Sequence, residues 1–420
     1  MAAEVVFIGD DFTGASDSLA TYARTGWRSR LVLRPAEDPQ AADLDAVGVP
    51  TDLRSLAPDA AKSEIARLWP AISAIHPSVI HYKVCSTFDS APGVGSIGAV
   101  TCDLVSRFKP DVVAVIGGQP SLGRYCTFGT LFARGPDGAV HRIDRHPIMS
   151  RHPVTPMNEA DLRLHLEAQG LQGLELIAFP DLHGGNAAED AIRKGPVLFD
   201  LASAQDQVRI AEVLRTVGGR QLLIGASSVA EILVNGRSRT SIRPAIANPR
   251  SDAVFLFAGS RSATTRKQVE AAVSFRRIPL EPEALHSDGL IAETAALVEK
   301  DVPVLVHLLP DVDYGLSPDA LANASSRFVT RVIDLADVGY LGLAGGDTSS
   351  RICAGLGFRA LEFQENLGQG VGICTASHRD PRRNLMRLML KGGQMGSASL
   401  FEDFLRQAKE RSSERLLSER

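Results

Sequence analysis

Val5-Val6-Phe7-Ile8-Gly9-Asp10-Asp11-Phe12-Thr13-Gly14-Ala15 stands near the start of the chain. Its first four residues are apolar and β-prone, and a glycine follows them, so they read as a buried strand with a defined end. Two adjacent acids come next, then a helical stretch from Ser16 to Arg24 that Ser16 or Asp17 would cap. A strand, a loop and a helix in that order begin an α/β unit.

The same rhythm runs through the rest of the sequence. Val112 to Ile116, Leu174 to Ala178 and Leu222 to Ile224 read as strands, with helices over Gly95 to Phe108, Glu159 to Gln169 and Ser203 to Val217. Gly135-Pro136-Asp137-Gly138, between apolar flanks, predicts a hairpin turn and hence an antiparallel element. The stretch from Asn235 to Asp252 is polar, holds Pro244 and Pro249 and has no period, which marks a domain boundary. Strands then restart at Val254 to Phe257 and Val302 to Val306, with helices over Ser262 to Val273 and Leu290 to Glu299. A closing helix from Ser399 to Arg411 shows Leu400, Phe401, Phe404 and Leu405 on one face, and the charged tail after Lys409 reads as a solvated helix end. The expectation is an α/β protein of two α/β domains with mostly parallel sheets and an active-site cleft between them. Residues 1–240 and 253–420 would form the domains and 241–252 the linker.

Composition narrows the function classes. The chain has 420 residues, 44% hydrophobic and 22% charged, with a formal net charge of -4. That balance argues against a nucleic-acid partner or an anionic membrane surface. No apolar run approaches the ~20 residues that span a bilayer. Met1-Ala2-Ala3-Glu4 lacks the basic and apolar segments of a leader, so a cytoplasmic location is expected. Cys85, Cys102, Cys126, Cys353 and Cys374 are scattered and form no C-x-x-C pair, which suits reduced thiols rather than a zinc site.

Chemistry is expected where strands end. Adjacent carboxylates repel, and a loop holding Asp10 and Asp11 suits a cation or a hydroxylated ligand; a capped acidic turn is the plain alternative. Thr13 and Gly14 would offer backbone N–H groups as an anion seat at the helix start. Gly345-Gly346-Asp347-Thr348 follows the apolar run Tyr340 to Ala344 and leads into a helix. Paired glycines let a backbone approach a phosphate closely. Gly259-Ser260-Arg261-Ser262 and Lys391-Gly392-Gly393-Gln394-Met395-Gly396 also follow apolar runs. Three glycine-rich strand ends in one half of the chain point to a nucleotide pocket. Neither a G-x-x-x-x-G-K-[ST] loop nor a G-x-G-x-x-G fingerprint occurs, which counts against a nicotinamide oxidoreductase.

Taken in order, these motifs resemble those of the four-carbon acid sugar kinases, from Asp-Asp-Phe-Thr-Gly-Ala at residue 10 to Lys-x-Gly at 391. The resemblance implies an N-terminal acid-sugar domain and a C-terminal ATP domain. It implies transfer of the γ-phosphate to a terminal hydroxyl of a tetronate such as threonate, erythronate or 3-oxo-tetronate. It places Asp10, Asp11, Thr13, Asp17, Arg54, Lys83, Ser86, Thr87 and Arg124 on the substrate side. Phosphoryl transfer asks for a carboxylate to accept the hydroxyl proton, and Asp11 is the expected catalytic base with Asp10 second. Ser260, Ser262, Gly345, Gly346, Asp347, Thr348 and Gly393 fall on the ATP side. Mg²⁺ would bridge the phosphates, held mostly by ATP oxygens and water, with no protein ligand assigned. The partners are then a sugar acid and ATP, and a homodimer is compatible with the sequence.

One motif departs from the family. Its usual form is Lys-x-Asp-Ser-Thr-x-Arg-Gly-Asn, and here it reads Lys83-Val84-Cys85-Ser86-Thr87-Phe88-Asp89-Ser90. Asp89 reverses the charge of an arginine and removes a bidentate fork for a carboxylate. Either Arg54, Arg124 or another cation holds the acid, or the substrate is a different hydroxy acid. A two-lobed binding protein without turnover is the rival reading. Cys85 reads as packing, and His152 and His183 as hydrogen-bonded loop residues.

Overall fold

The computed structural model of the chain describes residues 3–35, 44–237, 248–368 and 371–418, the last with side chains to 411. Residues 241–247 of the expected linker therefore lie outside the described residues. The chain divides into two compact units, Met1–Arg30 with Pro39–Ser241, and Leu31–Asp38 with Ile242–Arg420.

In the first unit seven strands form a parallel sheet in the order Ala46–Pro50, Val5–Gly9, Val79–Lys83, Gln221–Gly225, Val112–Ile116, Val197–Phe199, Glu175–Ile177. Every residue of Val5–Gly9, Val79–Lys83 and Gln221–Gly225 is buried. A parallel sheet covered on both faces explains why such strands read as continuous apolar runs. Gly9 pairs with Pro50 and Lys83, and Lys83 with Gly225, so the loops after these strands start level with one another. The hairpin at Gly135 to Gly138 joins Thr130–Arg134 to Val140–Arg142, with Arg134 opposite Val140. A third strand, Arg124–Thr127, completes this small antiparallel sheet.

In the second unit the parallel order is Arg276–Leu280, Val304–Leu308, Val254–Ala258, Tyr340–Ala344, Arg387–Lys391. Val371–Ser377 and Ala360–Gly368 extend it in antiparallel fashion. Leu31 and Val32, from near the start of the chain, then pair antiparallel with Leu361 and Ala360. The closing helix Leu400–Ser418 lays Leu400, Phe401, Phe404 and Leu405 into the core of this unit, each at most 2% exposed. Full burial of such a side chain contributes about 1.5–3 kcal/mol. No helix among the described residues is long and apolar enough to cross a membrane.

Candidate active site

The acidic loop of the first unit begins where Val5–Gly9 ends. A Cβ on Gly9 would lie 2.6 Å from that of Ala15, so glycine is what lets the following helix close down on the strand. That helix runs from Phe12 to Arg24, and its N-cap is Asp11, not Ser16 or Asp17. Asp11 is extended (φ -143°, ψ 162°) and its Oδ1 accepts from the Gly14 N–H at 3.0 Å, while Thr13 Oγ1 donates to Oδ2 at 2.7 Å. The amide expected to seat an external anion at Gly14 is thus taken by the chain's own carboxylate. A cap of this kind contributes about 1 kcal/mol.

Arg54 ties the two acids together. Its Nε and Nη2 donate to Asp10 Oδ2 and Oδ1 at 3.1 and 2.7 Å, and Nη2 also reaches Asp11 Oδ1 at 3.0 Å. The backbone repeats the tie, with the Arg54 N–H donating to the Asp10 carbonyl. Asp10 is sealed, its side chain 4% exposed, whereas that of Asp11 is 21% exposed. Burial pushes the Asp10 carboxyl above its ordinary value, with Arg54 opposing. Burial also acts on Asp11, but the Arg54 and Lys83 charges and the bonds from Thr13 and Gly14 together hold it below the ordinary value.

Lys83 is buried and ends its strand, donating to the Val84 carbonyl at 2.8 Å. A Cβ on Gly14 would sit 2.6 Å from Lys83 Nζ and would also strike Asp11 Oδ1. Lys83 and Asp11 therefore face each other across a position only glycine fills. In the next loop Cys85 Sγ lies 2.9 Å from Thr87 Oγ1, which donates to Asp89 Oδ1 at 2.5 Å. Burial, with the Asp89 charge beside it, pushes the Cys85 thiol up to about 11, which leaves it no nucleophile. The Arg54 guanidinium acts on Cys85 and Asp89 as well as on Asp10 and Asp11. Ser86 is half-buried in this loop.

Two expected residues stand apart from this network among the described residues. Asp17 accepts from Ser227, which follows the strand Gln221–Gly225 and also lies 3.2 Å from Ser18 Oγ. Arg124 belongs to the three-stranded sheet and donates to the Leu122 carbonyl, with its Nε buried and unpartnered. His152 and His183 are engaged locally, with Thr155 and Asp206.

In the second unit Ala258, Ala344 and Lys391 are level in adjacent strands, so their glycine loops converge. Gly259 and Ser260 both donate to the Ala344 carbonyl, and Gly345 donates to that of Lys391. A Cβ on Gly259 would meet Thr348 at 2.6 Å, and one on Gly393 would meet Ser260 Oγ at 2.6 Å. Gly345 has φ 125°, a region that L side chains rarely adopt, and its Cβ would crowd the Ser260 N at 3.1 Å. Ser262 caps the helix Ala263–Ala271 and donates to the Gly393 carbonyl at 2.5 Å. Gly346 opens the helix Gly346–Leu356; Asp347 lies in it, with a side chain outside the described residues. Lys391, which the sequence marks only as the start of its glycine motif, and Thr265 and Gln268, which it does not mark at all, are buried behind these loops. Among the described residues no group of three or more His, Cys, Asp and Glu could hold a metal ion.

Residues 5–233 match the model of a sugar-binding N-terminal domain, and residues 255–401 that of a nucleotide-binding C-terminal domain. The chain is 33% identical to a 3-oxo-isoapionate kinase of Paraburkholderia graminis, over 94% of this chain and 93% of the relative. It is 30% identical to a 3-oxo-tetronate kinase of Methylobacterium radiotolerans, over 94% and 96%. A solved chain from Salmonella typhimurium shares the fold with a TM-score of 0.79 at 22% identity, covering 96% of this chain and 99% of its own.

Proposed function

The chain belongs to the four-carbon acid sugar kinase family, and we propose that it transfers the γ-phosphate of ATP to a terminal hydroxyl of a small 3-oxo sugar acid. The first unit would bind the acid and the second the nucleotide, in keeping with the two domain models. The relatives' substrates, 3-oxo-isoapionate and 3-oxo-tetronate, favour a 3-oxo acid over threonate or erythronate. A cytoplasmic setting suits an ATP-dependent enzyme of this kind.

The observation that carries the reading is the division of labour between Asp10 and Asp11. Phosphoryl transfer asks chiefly for positioning and charge stabilisation, with a carboxylate to orient the hydroxyl and take its proton. Asp10 spends both oxygens on Arg54. Asp11 is the more exposed of the two, and Thr13 holds its Oδ2 in place without charge. We therefore assign Asp11 as the base and Asp10 with Arg54 as its support. A carboxyl below its ordinary value is a weak base, which suits a proton leaving late as bonding to phosphorus forms. Lys83 would hold the acid's charged or keto end beside Asp11, with Thr87 and Ser86 nearby. Asp17, within the helix Phe12–Arg24, and Arg124, at the start of a strand of the small sheet, would act from outside this network. On the nucleotide side Ser260, Ser262, Gly345 to Thr348 and Gly393 would take ATP. Mg²⁺ would arrive on the ATP phosphates, since Asp10 has no oxygen free for it.

Asp89 favours a departure within the class. Its buried carboxylate stands beside Arg54 where the family pattern has an arginine, so the cluster holds Asp10, Asp11 and Asp89 against Arg54 and Lys83. Such a site suits a hydroxyl or keto group there better than a second carboxylate. An ADP-release assay with a panel including 3-oxo-tetronate, 3-oxo-isoapionate, threonate and erythronate tests the reading. Turnover with a 3-oxo acid is expected; tight ATP binding with no ADP above background from any acid would leave a binding protein instead.

A further inference from the structure

Lys391 is 1% exposed, and its ammonium donates to Thr265 Oγ1 at 2.9 Å, Gln268 Oε1 at 2.6 Å and the Gly393 carbonyl at 3.4 Å. The Phe401 ring lies 5.8 Å away. All four partners are uncharged. Burial without a counter-ion is costly for an ammonium, and an apolar side chain of similar volume would serve packing as well or better. A cation kept there is therefore matched to something other than the fold.

Among the described residues, the other charged side chains on the elements packed against it are paired elsewhere or exposed. On the helix Ala263–Ala271, Arg266 pairs with Asp311, and Lys267 and Glu270 are exposed. On the helix Leu400–Ser418, Glu402 accepts from the Ser274 N–H and Asp403 pairs with Arg406. On its own strand Arg387 donates to Thr375. What Lys391 does touch belongs to the convergent loops. The Gly393 carbonyl receives Ser262 Oγ, Thr265 Oγ1 and Lys391 Nζ together, and three donors on one oxygen hold that turn in one conformation.

We propose that Lys391 is a positioning residue for ATP, fixing the Gly393 turn and placing a positive charge, with no counter-ion among the described residues, behind the loops that receive the phosphates. This rests on the reading of the second unit as the nucleotide-binding one. Burial pushes the ammonium down to about 8, so its charge is lost between pH 7 and 9 in the free protein. A bound polyanion favours the charged form, and ATP binding then draws a proton from solution.

Calorimetry with ATP tests this. For the unsubstituted protein Kd is expected to rise about tenfold between pH 7 and 9. In Lys391→Met the Kd at pH 7 should be about tenfold weaker, the pH slope flat, and binding of the acid unchanged. An unchanged Kd with an unchanged pH slope would overturn the proposal. Should that variant fail to fold, the unsubstituted protein decides: at pH 8.5, titrations in two buffers of different ionisation enthalpy should show uptake of about half a proton per ATP. No uptake overturns the role of Lys391. No ATP binding by the unsubstituted protein at any pH would instead overturn the nucleotide-site reading.

Discussion

Arg54 grips Asp10 through two parallel hydrogen bonds of 3.1 and 2.7 Å and leaves that carboxylate no free oxygen, while the same guanidinium touches only one oxygen of Asp11. Two neighbouring acids with identical chemistry are thereby made unequal. One is a buried anchor, and the other is braced but reachable.

That inequality separates two substitutions. Asp11→Asn should keep the helix cap, because asparagine caps about as well as aspartate. It should lower kcat by about 10²–10⁴, the range for removing a general base, with ATP affinity retained. Steady-state kinetics and ATP titration check both halves. Near-normal kcat would move the base elsewhere.

Loss of Arg54 should act first on stability. Arg54→Ala leaves the Asp10 carboxylate buried and unpaired, a change worth about 3–5 kcal/mol. Arg54→Lys restores a charge but not the fork, and should recover only part of it. Urea unfolding followed by circular dichroism gives the midpoints. A wild-type midpoint in the alanine variant would mean that Asp10 is protonated or solvated without its partner.

Gly14→Ala should wedge Asp11 and Lys83 apart, since the new Cβ would lie 2.6 Å from Lys83 Nζ. The expected result is a fall in kcat/KM for the acid of tenfold or more, on the order of a lost charge-assisted contact. ATP binding, which belongs to the other unit in this reading, should not change. Equal losses on both ligands would point to general unfolding.

Acid should silence the enzyme before it unfolds this site. Asp10 lies above its ordinary value and Asp11 below it, so a falling pH protonates Asp10 first and releases Arg54. The depressed Asp11 contributes stability that is complete above the unfolded value, 3.8, and is lost only below it. The acid limb of kcat/KM should therefore have a midpoint above 3.8, with circular dichroism unchanged there. Coincident loss of both signals would merge the two steps.

Much of this architecture is legible in the sequence because parallel strands buried on both faces announce themselves as apolar runs. Val5 to Ile8 and Val112 to Ile116 need no tertiary information, and the three glycine loops that follow such runs in the second half converge as strand register requires. Val79–Lys83 is harder, because His81 and Lys83 interrupt its pattern. His81 survives in the core by staying neutral, burial pushing it down to about 3. The cap is hidden for a different reason: Asp11 both closes the helix and faces the site, and a residue that does the second is easily counted as a ligand group only. Arg54 gives no local sign of its partners, which lie more than forty residues away and meet it only through the level ends of adjacent strands. Ser227 had a signal, a hydroxyl just beyond the glycine that ends Gln221–Gly225, but its bond to Asp17 spans 210 residues.

The pairing of Leu31 and Val32 with Leu361 and Ala360 sets a schedule for the newborn chain. These two residues emerge from the ribosome with the first unit, yet their partners are made more than three hundred residues later. At about 5–20 residues per second they wait on the order of half a minute, an exposed apolar edge on a nascent polypeptide. Their place must be kept until almost the whole protein has been translated. A fragment beginning at residue 253 would lack that strand, however complete its glycine loops.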